Sequence, residues 1–275
     1  MRSVLRGRDT GEAQESTALA DLGIFGIALL TVAAWLAGAV NAVAGGGSLI
    51  SFPALLAVGY PAVTANITNT VALCPGYVGG TIGYRRELAG QRGRVVALGL
   101  TSAVGAVAGS WLLLVSSPEV FERIVPFLIL AACALLALQR QLARVVQRHA
   151  GTSPEGLGQA LPLHVFQFIG AVYGAYFGAG LGIMMLAVLS IFLADTLQRL
   201  NALKGVMSLV INVVGAVYFA IFADVVWFAV AIMATAALIG GRMGVALARR
   251  LNDQALRWMV VAFGVAVAIR LMFPY

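Results

Sequence analysis

The chain has 275 residues, of which 61% are hydrophobic and only 11% charged, and its formal net charge is +7. Because a soluble domain carries roughly 25% charged residues, this composition excludes an ordinary water-soluble globular protein. No Asp, Glu, Lys or Arg occurs between Asp21 and Arg85. That stretch is several times the roughly 20 apolar residues that cross a bilayer, so it predicts several membrane-embedded segments.

The basic excess has a simple explanation in a membrane protein. The arginines lie in short connections between apolar segments, where they set the orientation of the chain. No basic cluster alternates with aromatic residues on a polar face, so we expect no nucleic-acid partner. Cys74 and Cys133 lie in apolar segments without metal-ligand or redox spacing, and they are interpreted as packing residues. We therefore expect no metal and no cofactor.

The first half of the chain begins with a polar N-terminal tail at residues 1–20. A helix is predicted at 22–44, retained in the protein rather than removed as a signal peptide. The glycines Gly45, Gly46 and Gly47 interrupt it. After them, the sequence predicts a short apolar piece at 48–58 and helices at 64–84, 95–115 and 121–139.

The second half follows a polar connection at 140–162 that contains Gly and Pro and is interpreted as a linker. Short pieces at 163–177 and 181–194 come next, and helices are predicted at 200–223, 225–248 and 256–273. Both pieces are shorter than a normal span, so we expect either a re-entrant hairpin or two strongly tilted crossings. Irregular backbone at membrane depth needs a covering of protein or a watery cavity. The glycines at the tip are therefore expected to line a cavity.

Arginine-rich connections give the orientation. Positive-inside bias assigns the connections 85–94, 140–162 and 242–257 to the cytoplasm. The connections at 116–123 and at Asp224 then face outward. On this basis residues 21–139 form a first repeat, 140–162 a cytoplasmic linker and 163–275 a second repeat.

The two halves resemble each other in the order of their elements and in several residues. Gly38 recurs in the second half as Gly170, and the positions of Asn66 and Asn69 fall opposite those of Asn201 and Lys204. The connection after the Asn66 helix is basic and inside, whereas its counterpart at Asp224 is outside, so the halves are predicted to be inverted. We expect an all-α polytopic membrane protein with two inverted repeats, each a glycine-broken helix pair followed by three transmembrane helices. Such repeats are typical of secondary transporters.

The residues from Asn41 to Pro53, together with Ala65-Asn66 and Asn69-Thr70, resemble the first half of the TauE/SafE (sulfite exporter, or TSUP) permeases. The glycines Gly178, Gly180 and Gly182 and the segment 201–204 resemble their second copy. The similarity covers nearly the whole chain after residue 20. It implies export or import of sulfur-containing anions, such as sulfite, sulfonates or sulfoacetate, at a bacterial inner membrane.

An anion that leaves water needs replacement hydrogen-bond donors, and the free N–H groups at a helix start supply them. Glycines let that backbone approach a solute closely. The two glycine clusters at the helix breaks meet this requirement, although close packing through small residues is the alternative. Lys204 is the sharpest candidate, since ionisable groups in a membrane interior are usually functional; the alternative is a side chain that reaches the cytoplasmic surface.

Polar residues after the first break add to the candidate site. Asn66, Asn69 and Thr70 share one helix face by their spacing, and Asn201 and Lys204 occupy the equivalent face. The predicted substrate-binding residues are therefore Asn41, Gly45, Gly46, Gly47, Ser48, Asn66, Asn69, Thr70, Gly178, Gly180, Gly182, Asn201 and Lys204.

The sequence predicts a secondary transporter for a small anion, not an enzyme. No Walker A pattern occurs, so this chain does not hydrolyse ATP. The expected partners are the lipid bilayer and a small anionic solute, with a proton or sodium as the candidate coupling ion. The alternatives are a permease for another small organic anion, a membrane-embedded enzyme and an assembly subunit.

Overall fold

The computed structural model describes residues 23–41, 45–149, 157–248 and 253–273. Within these ranges the chain is helical and has no strand, which confirms the expected all-α class. The N-terminal tail predicted at residues 1–20 lies outside them. In chain order the helices are α1 (Gly23–Asn41), α2 (Ser48–Ala57), α3 (Ala62–Gly83), α4 (Arg92–Val115), α5 (Pro118–His149), α6 (Leu157–Tyr176), α7 (Leu181–Phe192), α8 (Leu197–Phe222), α9 (Trp227–Ala248) and α10 (Asp253–Met272).

Four of the described helical segments are long and apolar enough to cross a bilayer: Gly23–Asn41, Arg92–Val115, Pro118–Leu138 and Gln198–Phe222. On α4, the apolar side chains of Val96, Leu100, Val104 and Trp111 are all exposed at the protein surface. A soluble protein rarely exposes a continuous apolar stripe of this kind. These faces therefore contact lipid, and the chain crosses the membrane several times.

Two helices are too short to cross. The 10 residues of α2 and the 12 residues of α7 span roughly 15 Å and 18 Å, whereas the hydrocarbon core is about 30 Å thick. The chain breaks before each of them at glycines with positive φ, which are Gly45 before α2 and Gly178 and Gly180 before α7. Other residues adopt this left-handed conformation only at a cost. The glycine-broken helices that the sequence predicts are present in both halves.

The predicted bounds of the helices on either side of the linker at 140–162 are wrong. Helix α5 continues to His149 and α6 begins at Leu157, so only residues 150–156, which are not described, separate the two helices. The arginines in this stretch argued against a membrane span, but arginine is a good helix former and a helix can continue from the membrane into water. With 20 residues, α6 also reaches the length of a normal span, so the expectation of a short piece at 163–177 is wrong.

The contacts made by helices of the first half recur for helices of the second half. Each helix from α1 to α5 corresponds to the helix five places later, from α6 to α10, and the main contacts of corresponding helices match. Helix α3 packs on α9 as α8 packs on α4, and α2 packs on α10 as α7 packs on α5. Helix α4 packs on α6, and the counterpart contact joins α9 to α1. This correspondence fits a duplicated five-helix unit. The inverted orientation of the two units in the membrane stays a prediction.

Glycines allow close backbone contact at the α4–α6 interface and at its counterpart. A Cβ atom on Gly109 would lie 2.9 Å from the carbonyl carbon of Val172, and one on Gly105 would lie 2.8 Å from the carbonyl oxygen of Phe168. At the counterpart, a Cβ on Gly240 of α9 would lie 2.8 Å from the carbonyl carbon of Trp35. Membrane helices often pack in this way, because small residues bring the backbones within van der Waals range.

We expect Gly109→Ala to lower the thermal midpoint of the detergent-purified protein, because the added methyl group collides with the backbone of α6. Overpacking of this kind costs about 1–3 kcal/mol. Gly99→Ala on the same helix is the matched control, since nothing lies within 4 Å of its Cβ position. Equal midpoints for the two variants would contradict the close α4–α6 contact.

An ion-pair cluster connects the two halves at the face predicted to be cytoplasmic. Asp195, between α7 and α8, pairs with Arg94 of α4 at 2.7 Å and with Arg199 of α8 at 2.9 Å. Arg199 also donates to the carbonyl oxygen of Ala89 at 3.1 Å. Burial by itself would raise the pKa of Asp195, but the N–H of Thr196 and the two guanidinium groups hold it below its ordinary value of 3.8.

This cluster predicts a pH-dependent contribution to stability. Because the folded protein lowers the pKa of Asp195, its stabilising effect is present above the ordinary value of 3.8 and is lost as the pH falls through the folded pKa. We expect Asp195→Asn to lower the thermal midpoint at neutral pH, and the gap to wild type to close in acid below that value. A gap that is constant across this range would contradict the assignment.

Candidate functional site

A cavity lies where the two glycine breaks meet, between the ends of α1 and α7 and the facing sides of α3 and α8. The space open to the centre of a water-sized molecule is about 20 Å³, and one water needs about 10–15 Å³. The cavity therefore admits only a small solute. Its lining residues are Asn41, Gly45, Gly76, Tyr77, Thr81, Tyr84, Gly182, Asn201, Lys204, Gly205 and Ser208.

The two breaks touch at Gly45 and Gly182. A Cβ atom on Gly45 would lie 2.6 Å from the Cα of Gly182, and one on Gly182 would lie 2.8 Å from the Cα of Gly45. No side chain fits between these backbones. The contact brings the start of α7 to the cavity wall. The N–H groups of Leu181 and Ile183 donate to the carbonyl oxygens of Gly178 and Gly180, which leaves the N–H of Gly182 without an acceptor among the described residues. The helix dipole favours negative charge at this end of α7.

Asn41 stabilises the first break. The N–H of Gly47 donates to its Oδ1 at 2.7 Å, which connects the last residue of α1 to the residue before α2. Gly47 itself is packed tightly, because a Cβ there would come within 2.8 Å of the Asn41 side chain. Asn41 therefore holds the break in shape while also lining the cavity.

Lys204 supplies the positive charge of the cavity. It is the only lysine among the 275 residues, and its side chain is buried, at 7% exposure. No carboxylate is present among the described residues that line the cavity, and no ion pair or hydrogen bond of Lys204 is found within the described ranges. The described lining of the cavity therefore contains a cation without a counterion. Because a buried charge without a partner is costly, an anion that binds beside Lys204 would be stabilised.

Two hydroxyl groups in the cavity also lack partners. The Oγ1 of Thr81 and the Oγ of Ser208 are buried and make no hydrogen bond within the part of the chain that is described. Buried polar atoms are satisfied in the great majority of cases, so an unpaired pair that faces one cavity indicates a place for a polar solute. Tyr77 lines the same cavity from α3.

Five of the predicted substrate-binding residues line this cavity together: Asn41, Gly45, Gly182, Asn201 and Lys204. The others lie around the breaks and not in the lining. Gly46, Gly47 and Ser48 form the start of α2, and Gly178 and Gly180 form the turn before α7. At Gly180 a Cβ would lie 3.3 Å from that of Ala132, so this glycine serves helix packing.

Asn66, Asn69 and Thr70 have partners within the protein. The Nδ2 of Asn66 donates to the carbonyl oxygen of Tyr176 at 2.8 Å, at the last residue of α6. The Oγ of Ser51 donates to the Oδ1 of Asn69 at 2.6 Å, and Thr70 donates to the backbone of Asn66 at 3.0 Å. These groups stabilise the helix breaks. Asn66, in the first half of the chain, binds the end of α6, where the helix of the second half breaks.

Six cavity residues were missed by the sequence reasoning: Gly76, Tyr77, Thr81, Tyr84, Gly205 and Ser208. A signal for most of them was present. Tyr77, Thr81 and Tyr84 follow one another at helical spacing, and Ser208 continues the face of Asn201 and Lys204 by one turn. The predicted residues Asn66, Asn69 and Thr70 lie towards the start of α3, whereas the cavity lies at its end.

A family model described as "Sulfite exporter TauE/SafE" matches residues 30–271, from α1 to the last turns of α10. The chain belongs to this family. No solved structure matches it. A transporter family is coherent with the expectation of a non-enzymatic function.

Relatives of this TauE/SafE chain have transporter names. It is 27% identical to "Probable membrane transporter protein ORF9" of Sinorhizobium sp over 252 residues, which cover 92% of this chain and 94% of that protein. A probable membrane transporter protein of Haemophilus influenzae is 25% identical over 254 residues, covering 92% and 97%. The Escherichia coli K12 protein YfcA, a probable membrane transporter, is 24% identical over 248 residues, covering 90% of each chain. The TauE/SafE chain is a multi-pass membrane permease.

The two asparagines at equivalent repeat positions are expected to behave differently. Asn66→Ala leaves the Tyr176 carbonyl without its donor, and the unmade hydrogen bond costs about 1–3 kcal/mol. Asn201→Ala removes a cavity residue that has no hydrogen bond within the described ranges, so the thermal midpoint is expected to stay near that of wild type. Thermal unfolding in detergent measures both, and an equal loss would contradict the structural role of Asn66.

Proposed function

We propose that the protein is a secondary transporter for a small sulfur-containing anion, of the sulfite, sulfonate or sulfoacetate type, in a bacterial inner membrane. The cavity at the crossing of Gly45 and Gly182 is the proposed binding site. The observation that carries the proposal is Lys204, a buried cation without a counterion in the described part of the cavity. The family description of a sulfite exporter supports the sulfur anion as solute.

The chemistry of the cavity fits an anion in three ways. The Lys204 ammonium group supplies a full positive charge. The hydroxyls of Thr81 and Ser208 are free to donate hydrogen bonds to an anion, because they have no partner among the described residues. Gly182 lies in the first turn of α7, where its own N–H group has no acceptor among the described residues and the helix dipole favours negative charge. A cation would meet repulsion at the same place.

Two separate apolar clusters support a transport cycle. Among the described residues, one cluster is built mainly from α1, α2, α3, α5, α9 and α10, and the other from α4, α6, α7 and α8. The cavity lies between residues that belong to both groups of helices. Each cluster combines helices of both halves, and in transporters with repeated units the rocking of one helix bundle against another exposes a central site to each side in turn. We propose that the Gly45–Gly182 contact is the point about which this motion occurs.

The leading test is Lys204→Met in proteoliposomes loaded with radiolabelled sulfite. A hydrogen bond to a charged group is worth about 1.5–3 kcal/mol, so we expect anion flux to fall by about 10- to 100-fold or more. Arg270→Met is the matched control, because it removes one positive charge from an exposed position on α10. Its flux should equal that of wild type.

Membrane insertion and the thermal midpoint are measured for both variants, so that a folding defect is distinguished from a lost site. Wild-type flux in a correctly inserted Lys204→Met protein would remove Lys204 from the mechanism. Absence of flux in the wild type, for sulfur oxyanions, sulfonates and carboxylates alike, would contradict the proposed function itself.

A further inference from the structure

The charges around the cavity are few enough to count. Among the described lining residues Lys204 is the one cation, and Tyr77 and Tyr84 are the remaining titratable groups. Residues 42–44, which adjoin the first break and lie outside the described ranges, are Ala-Val-Ala and carry no charge. The described lining of the cavity therefore has a formal charge of +1, which comes from Lys204.

The other ionisable groups near these walls lie outside the lining. On the α3 side, Glu87 follows Tyr84 by three residues, next to Arg85 and Arg86 in the same connection. Burial, and then the Glu87 carboxylate, raise the pKa of Tyr84, so its phenol stays neutral. From α9, the side chain of Arg242 packs beside Gly79 and does not line the cavity. Helices α1 and α7 bring no ionisable residue to it.

A buried site is most stable when its charges cancel. A monoanion beside the Lys204 ammonium gives a neutral pair, and the unpaired hydroxyls of Thr81 and Ser208 can bind its remaining oxygen atoms. A dianion would leave one uncompensated negative charge, and a neutral solute would leave the ammonium unmatched. Each uncompensated buried charge costs several kcal/mol even after relaxation.

We propose that the cavity selects monoanions, namely bisulfite and singly charged sulfonates, over dianions such as sulfate, sulfite in its doubly charged form and sulfoacetate. This inference rests on the proposed function and narrows it by charge: of the solutes named there, bisulfite and singly charged sulfonates are favoured and the dianion sulfoacetate is not. The lining is uncrowded at Gly205, where a Cβ would meet only the Oγ1 of Thr81, at 3.7 Å.

The charge of the solute is tested with three compounds of nearly the same shape. Dimethyl sulfone is neutral, methanesulfonate is a monoanion and sulfate is a dianion. Each is titrated into the full-length purified protein at neutral pH, and binding is followed by calorimetry and by the shift in thermal midpoint. We expect methanesulfonate to bind at least about 10-fold more tightly than either of the others, as the penalty for an uncompensated charge implies.

Sulfite flux in proteoliposomes gives a second readout. Because sulfite gains a proton near neutral pH, its flux relative to that of methanesulfonate should rise as the pH on the side of uptake falls. Flux that instead follows the doubly charged form would overturn the inference. So would sulfate or dimethyl sulfone binding as tightly as methanesulfonate.

Two variants complete the test. Lys204→Gln should lose the preference for methanesulfonate over dimethyl sulfone. Asn201→Lys adds a second cation on the same wall of α8, one turn from Lys204, and should raise the affinity for sulfate relative to methanesulfonate. No change of preference in a folded Asn201→Lys protein contradicts selection by charge. If sulfite and all three probes fail to bind the wild type, the proposed function fails, whereas tight sulfate binding overturns the monoanion preference alone.

Discussion

Backbone N–H and C=O groups at membrane depth must find partners within the protein, because lipid offers none. Each helix break in this chain therefore needs its own support. Asn41 accepts the N–H of Gly47 at the first break, and Asn66 donates to the carbonyl oxygen of Tyr176 at the second. With these contacts made, Gly45 and Gly182 can meet backbone to backbone. The cavity forms beside this contact, where the breaks before α2 and α7 meet.

The same constraint explains why so few polar residues occupy the interior. Most hydroxyls in the membrane helices bond to a carbonyl one turn earlier, as Ser102 and Thr235 do. Thr81 and Ser208, which line the cavity, depart from this rule within the described residues, and so does Ser110 of α4, which does not line it. The cavity is the one place where two such hydroxyls lie with the buried Lys204 among the described residues. Their chemistry, one cation and several donors, gives the permease its proposed preference for anions.

The sequence was sufficient to predict the membrane class, both glycine breaks and the importance of Lys204 as a candidate, since each produces a local signal of composition or spacing. It was insufficient for the partner of Asn66, because a hydrogen bond between residues 110 positions apart depends on how the halves pack. The helical spacing of Tyr77 and Thr81 was a signal for one shared face, but that this face lines the cavity depends on how α3 packs against α8. The ends of α5 and α6 were misjudged because helical hydrogen bonding continues beyond the apolar segment.

Lys204 also gives the protein an unusual chemical property. Apart from the amino terminus, its ε-amine is the one primary amine of the chain, and acylating or Schiff-base-forming reagents react with that group while they spare arginine. Because it lies inside the cavity, covalent labelling marks the interior of the protein and leaves the arginine-rich connections untouched. Occupancy of the cavity is therefore readable by mass spectrometry on the natural sequence, without any introduced reporter.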